Sequence, residues 1–387
     1  MATQNTQKYK IIYATGSRAD YGIVRKYLSF LNNDTNIELS LLVTGTHLSP
    51  KYGYSIQEIE SDGYAIVKTI PLGLQKLDKE DVTDAMAEVI KESGAFFARN
   101  ECSLLIVLGD RYEIFGVAAA AAINGVPILH LHGGEKTLGN YDEFLRHSIT
   151  KMSTFHFTST EEYRRRVIQM GENPDSVFNM GAMGAENCLL YDSSRVINEI
   201  KELHDKKYFV VVFHPETASG CDSFQQLCEL TNALAEIPED YKIVIIGSNA
   251  DTGADKIHDG LLAFQKNSKS LFFQNLQADS YLDLIAHAQA IIGNSSSGII
   301  EAPTLGTYTI NIGKRQEGRV RASSVIDVPC RSEDILKAIL FVCEHRKKGE
   351  KIENPYYQKD AAHRCYIKTK ELIQLLPLSA KNFYDFQ

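Results

Sequence analysis

Residues 290–301 read AIIGNSSSGIIE, an apolar run ending in Gly-Asn, three serines and a glycine before apolar residues resume. Reversing a chain needs only one Gly, Asn or Asp. Clustered backbone N–H groups and hydroxyls at a strand-to-helix handover suit a ligand rich in acceptor oxygens, at the positive end of a helix dipole. Ser295, Ser296 and Gly298 are therefore candidates to hold a diphosphate, and Glu301 to reach a ribose hydroxyl. A serine N-cap accounts for the same letters without any ligand. GSRADYG (16–22) and GKRQEGR (313–319) add Arg18, Arg315 and Arg319, whose planar donors match phosphate.

A second group of residues suits proton transfer. LGDRYE (108–113) puts Asp110 at a strand end, where it serves equally as a helix N-cap. HLHGGE (130–135) brings His130, His132 and Glu135 over two glycines, and NYDEFLRH (140–147) brings Asp142, Glu143, Arg146 and His147. Such a density of titratable groups is what an acid/base site requires. His214, in VVVFHPET, precedes a proline that ends its strand and leaves the ring at the sheet edge. His130 and His132 alternate along a strand and so face opposite sides, a poor chelating pair. With no H-E-x-x-H present, no metal is expected. Walker A, G-x-S-x-G and G-x-G-x-x-G are also missing, which disfavours NTP-driven and hydride chemistry.

These residues have to be positioned by strands and helices. KIIYATG, IELSLLVTG, AIVKTIPL, SLLIVLGD, VPILHLHGG and TFHFTST read as strands, separated by helical stretches. After a weaker region at 182–206 the pattern restarts with KYFVVVFHP, YKIVIIGSN, LFFQN, AIIGNSS and YTINIG. The runs are near-continuously apolar, as in parallel sheets covered on both faces. The expectation is two doubly wound α/β domains with a junction near 181–206 and a cleft at the carboxyl ends of the strands.

The bulk numbers agree with a chain of this class. At 387 residues there is room for two or three domains. A net charge of −8 disfavours nucleic acid or a membrane surface as partner. Seven cysteines without C-x-x-C spacing suit free thiols in a reducing compartment. The polar N-terminus resembles no signal peptide, so a cytoplasmic protein is expected.

Taken in order and spacing, GSRADYG, LGDRYE, HLHGGE…YDEFLRHSITKM, FHPET, GSNADTGAD and IGNSSSGIIEAP…NIGKRQEGR resemble the hydrolysing UDP-N-acetylglucosamine 2-epimerases of sialic-acid pathways. The resemblance spans residues from about 10 to about 375. It implies a GT-B-like architecture: a Rossmann-like domain over 1–185, a nucleotide-binding Rossmann-like domain over 186–365, and a helix in 366–387 returning toward the first. It implies conversion of UDP-GlcNAc and water to N-acetylmannosamine and UDP, through elimination to 2-acetamidoglucal and hydration. No cofactor is implied, and a homo-oligomer, dimer or tetramer, is.

By motif match, Asp110 and Asp142 are the leading acid/base groups, with His214, Arg18, Arg111 and Arg315 near the phosphates or sugar, and Asn249 and Asp251 lining the cleft. Many relatives carry Glu where this chain has His132. That leaves His132, Glu135 or Asp110 to act, and leaves open a 2,4-diacetamido-trideoxy sugar as substrate. A non-hydrolysing epimerase and a non-catalytic UDP-sugar sensor are the other readings.

Overall fold

The computed structural model describes residues 8–50, 53–73, 79–138, 141–216, 222–247, 254–274, 276–347, 349, 351–377 and 381–385. The chain divides into two units. Unit 1 comprises residues 1–135, 142–183 and 358–387, and unit 2 comprises 136–141 and 184–357.

Unit 1 is built on seven parallel strands: β1 (Tyr9–Thr15), β2 (Ile37–Thr44), β3 (Ala65–Ile70), β4 (Leu104–Leu108), β5 (Ile128–Leu131), β6 (Phe155–Thr158) and β7 (Val177–Asn179). Their spatial order is β3-β2-β1-β4-β5-β6-β7. Because side chains alternate along a strand, each strand feeds two cores. Ile11, Tyr13, Leu41, Ile106 and Leu129 pack with helices Arg18–Asn32 and Ala361–Ile373. Ile12, Leu42, Leu105, Val107 and Ile128 pack with helices Lys79–Phe97, Tyr112–Ile123 and Asp142–Met152. Edge strand β3 exposes every second residue, so two-sided burial holds only for the inner strands.

Unit 2 has six parallel strands: β8 (Lys207–Val212), β9 (Tyr241–Ile246), β10 (Leu271–Phe273), β11 (Ala290–Gly293), β12 (Tyr308–Ile312) and β13 (Val325–Val328). Their order is β10-β9-β8-β11-β12-β13. Cores on its two faces centre on Phe209, Val211, Ile292 and Ile310, and on Tyr208, Val210, Ile291 and Val244.

Both sheets reverse direction of growth once, between β1 and β4 and between β8 and β11. Such switch points open a crevice at the carboxyl ends of the strands. The motifs GSR, GDR, FHP and GNSSSG sit at those four strand exits.

Two strands escape the sequence reading. VFN and VIDV are three and four residues long, and β13 is only half-buried. Runs this short carry no periodicity; pairing with β6 and β12 makes them strands. The resemblance implies a first domain over 1–185 and a returning segment over 366–387; the first compact unit runs to Met183 and takes up the chain again at Gln358. Helix Ala361–Ile373 packs on helix Arg18–Asn32. Tyr27 Oη lies 2.7 Å from Thr369 Oγ1, and Tyr366 and Lys370 reach Asp34 at 2.8 and 2.7 Å. Among the described residues no helix is long and apolar enough to cross a membrane.

Candidate active site

At the exit of β1, Ser17 caps the following helix and Asp20 completes a capping box. The Asp20 carboxylate accepts from Gly16 N (3.0 Å), Ser17 N (3.1 Å) and the Thr15 hydroxyl. Burial pushes its pKa up to about 6 against those donors. Thr15 gives its proton to Asp20, so its oxygen accepts from His47 Nε2, 2.9 Å away. His47 is held down to about 4 by burial and stays neutral. Asp20 is thus saturated by its own turn and braces it. Arg18 forms an ion pair with Glu58, the partner the structure gives this expected phosphate ligand.

A residue passed over in the sequence stands behind this turn. Glu113 is fully buried and its Oε1 lies 2.5 Å from Arg111 Nε. A Cβ at Gly16 would strike the Glu113 side chain, and one at Gly45 would strike the main-chain oxygen of Gly16. The glycine of ATGSR therefore makes room for the carboxylate that aims Arg111, and that of VTGT lets its turn approach the first. The E of DRYE, two positions after Arg111, was the available signal.

Arg146 ties the next two strand exits together. It is 2% exposed, and its guanidinium pairs with Asp110 after β4 and donates to the main-chain oxygen of Glu135 after β5 at 3.0 Å. Glu143 lies 3.6 Å from the same guanidinium and 3.2 Å from His147 Nε2. Asp142, half-buried, opens the helix Asp142–Met152 that carries all of them. The sequence named Arg146 only among the titratable groups of NYDEFLRH, not as their anchor. Its position between Leu145 and Ile149 on a core-facing stripe was the only hint.

The two histidines of HLH differ sharply. His130 is wholly buried, with Nε2 2.8 Å from Gly109 O and Nδ1 3.1 Å from Thr150 Oγ1. A carbonyl only accepts, so Nε2 carries the proton and the ring is neutral. Burial holds its pKa down to about 3. His130 binds no proton in the fold where the unfolded chain, near 6.5, does. Stability must then fall as pH drops from about 6.5 toward 3. His130→Gln, which keeps a donor and an acceptor, should shrink the loss of unfolding free energy between pH 7.5 and 5 in denaturant titrations. An undiminished loss would mean the ring titrates freely.

His132 lies beyond the strand, with a left-handed φ of 65°. Alternation along β5 stops at Leu131 and does not govern it. Non-glycine residues in that region are uncommon and concentrate at functional sites. His132 Nδ1 lies 2.8 Å from Glu135 Oε1, which also accepts from Ser159 Oγ at 2.7 Å. The carboxylate, 2% exposed, puts the proton on Nδ1 and leaves the lone pair on Nε2. That Nε2 is buried and has no partner among the described residues. An oriented imidazole with a free nitrogen is the geometry of general acid–base chemistry.

In unit 2, Asn294 is the hub. Its side chain pairs with both main-chain groups of His214, Oδ1 accepting at 2.8 Å and Nδ2 donating at 2.8 Å. Its main-chain oxygen accepts from Arg315 Nη1 (3.0 Å) and Gln316 Nε2 (2.9 Å). Gly293 precedes it with φ 145°, where a Cβ would strike Val212 O. The exits of β8, β11 and β12 are thereby locked together, with Glu216 Oε1 accepting from Lys314 N at 2.8 Å. Ser295 and Ser296 are partly exposed at this junction. Ser297 faces inward to Tyr281 Oη at 2.5 Å.

The helix expected after GNSSSG is one turn, Ser297–Ile300, so hydroxyls and amides rather than a long macrodipole distinguish the corner. Gly298 has a packing reason: Thr309 Oγ1 donates to its oxygen at 2.7 Å and a Cβ would meet the Thr309 methyl. Glu301 ends that turn, half-buried, and its main-chain oxygen lies 3.9 Å from Cys188 Sγ. Asn249 and Asp251 lie outside the described residues.

His204, Asp283 and His287 form the group whose ligand atoms lie within 4.8 Å among the described residues, and none is a site candidate. The two imidazoles stack face to face, 3.9 Å apart and 14° from parallel. Stacked rings point their lone pairs side by side instead of toward one ion.

In unit 1 the structure thus joins Asp110, Arg111, His132 and Glu135 around two buried anchors, and in unit 2 it joins His214, Ser295, Ser296 and Arg315 around Asn294. Comparison with known proteins gives the family and the fold. The family pattern described as UDP-N-acetylglucosamine 2-epimerase matches residues 29–368. The chain is 44% identical over 380 residues to polysialic acid biosynthesis protein P7 of Escherichia coli, covering 97% of each. It is 33% identical over 378 residues to UDP-N,N'-diacetylbacillosamine 2-epimerase (hydrolyzing) of Legionella pneumophila, covering 96% of this chain and 97% of the relative. The fold is shared with the S. aureus MnaA–UDP co-structure at a TM-score of 0.81 and 16% identity, over 97% of this chain and 100% of the other. Two parallel-sheet units, strand-exit chemistry and sequence likeness over nearly the whole length converge: the chain belongs to the UDP-N-acetylglucosamine 2-epimerase family.

Proposed function

We propose that the protein is a hydrolysing 2-epimerase that converts UDP-GlcNAc and water to N-acetylmannosamine and UDP. The observation that carries the proposal is His132, anchored by Glu135 through Nδ1 and left with a free, buried Nε2. Its place among relatives named for polysialic acid biosynthesis and for a hydrolysing 2-epimerase supports the same reading.

No carbonyl acidifies the C2 proton, so departure of UDP must drive its removal. The C1–O bond breaks, UDP takes the electron pair, and positive charge develops at C1. Ser295, Ser296 and Arg315 receive the growing phosphate charge, the kind of preorganised donors that such steps need. Asp110, paired with Arg146, takes the C2 proton, and the C–H pair becomes the C1=C2 bond of 2-acetamidoglucal. Water then adds its oxygen to C1 and loses a proton to Asp142. The Nε2 lone pair of His132 takes a proton from solvent, and the ring, held by buried Glu135, delivers it to the opposite face of C2, inverting it. The balance is one sugar nucleotide and one water in, with free sugar, UDP and one solvent proton out.

A second reading has a specific support: the Legionella relative is named for a diacetylbacillosamine nucleotide. One experiment separates them. Incubated with UDP-GlcNAc in D₂O and followed by NMR, the protein should release UDP and N-acetylmannosamine deuterated at C2. UDP-ManNAc instead would assign the non-hydrolysing reaction. Turnover of a 2,4-diacetamido-2,4,6-trideoxy substrate alone would assign the second reading, and binding without turnover a sensor.

A further inference from the structure

Residues 381–385 reach the carboxyl end of the helix that carries Asp142, Glu143 and Arg146. Lys381 Nζ lies 2.6 Å from Ser153 O, 2.8 Å from Lys151 O and 3.3 Å from Thr150 O. These are carbonyls at and just past the last turn of helix Asp142–Met152. Such carbonyls lack intrahelical partners and form the negative end of the helix dipole. A fourth acceptor is Glu172 Oε2 at 2.6 Å.

Glu172 is 1% exposed and also meets Lys151 Nζ at 2.7 Å and His156 Nε2 at 3.0 Å. Burial holds His156 below its ordinary value, so the two lysines supply the positive charge at neutral pH. Two residues on, the Phe383 ring covers Gly171, where any Cβ would strike it, and Tyr384 N donates to Gly171 O at 2.9 Å. Residues 381–385 are therefore tied at both ends of a short segment, by charge and by an aromatic ring.

We propose that Lys381 is a positioning residue and that segment 381–385 is a strap, clamping helix Asp142–Met152 from behind so that Asp142, Glu143 and Arg146 keep their places at its front. A helix of this length is about 16 Å long and transmits a tilt at one end to the other. The kinetic consequence rests on the reaction proposed above; the mechanical one does not.

The test compares full-length Lys381→Met, Lys381→Arg and Phe383→Ala. Lys381→Met should lower kcat about tenfold, since small misplacements of reacting groups cost this much, while KM and UDP affinity stay within about twofold. Phe383→Ala should act in the same direction, and Lys381→Arg should restore most of the rate. Hydrogen exchange at amides 146–153 should quicken in Lys381→Met and Phe383→Ala. Unchanged exchange would overturn the strap, and quicker exchange with unchanged kcat would overturn positioning. If the unaltered protein turns over no sugar nucleotide, the reaction falls and exchange still decides the strap.

Discussion

Replacing Asp110 by Asn lowers kcat by about 10²–10⁴-fold, the range that a positioned acid or base contributes, and leaves UDP affinity near that of the unaltered protein. The reason lies in how Asp110 is held. Its carboxylate pairs with a guanidinium that is itself 2% exposed and fixed to Glu135 O and Glu143. Asn keeps the volume and an acceptor oxygen for Arg146 but cannot take a proton from carbon. Steady-state rates and calorimetric UDP titration check both halves. Loss of UDP affinity with rate would make Asp110 a ligand contact instead. The reciprocal change, Ser295→Ala with Ser296→Ala, should weaken UDP binding at least tenfold, because hydrogen bonds to charged groups contribute about 1.5–3 kcal/mol each. Unaltered affinity would remove the serines from the phosphate site.

Arg146→Met should destabilise unit 1 by about 3 kcal/mol, the lower end for breaking a buried pair, since Asp110 keeps some access to water. Methionine fills much of the space yet leaves Asp110 without its charge partner and Glu135 O without its donor. Denaturant unfolding of the full chain measures this, and a change under about 1 kcal/mol would show that water replaces the guanidinium readily. Turnover should fall with stability, because the exits of β4 and β5 lose their common tie.

The strand exits were readable because parallel strands buried on two faces write themselves as apolar runs, and polar residues interrupting those runs mark their ends. GDR, HLHGGE and GNSSSG stood out on that ground. The short strands VFN and VIDV did not, since three or four residues carry no period. That Arg146 and Glu113 are buried anchors was hidden for another reason. A charged letter inside a helix normally means a solvated face, and only partners distant in sequence make it a buried anchor. Gly298 has in addition a packing reason that its letters do not show, since Thr309 approaches where a Cβ would stand.

Residue types and their order sufficed for the α/β class, the alternation of strand and helix, and the two sets of chemical groups at strand ends, because these depend on local periodicity and near neighbours. How those groups are paired came only from three-dimensional packing. Arg18 meets Glu58, burial holds His130 neutral beneath Gly109 O and Thr150, and His132 Nε2 has no partner among the described residues. Protonation, pairing and access follow from burial and from partners far away along the chain, and no short window of sequence records either.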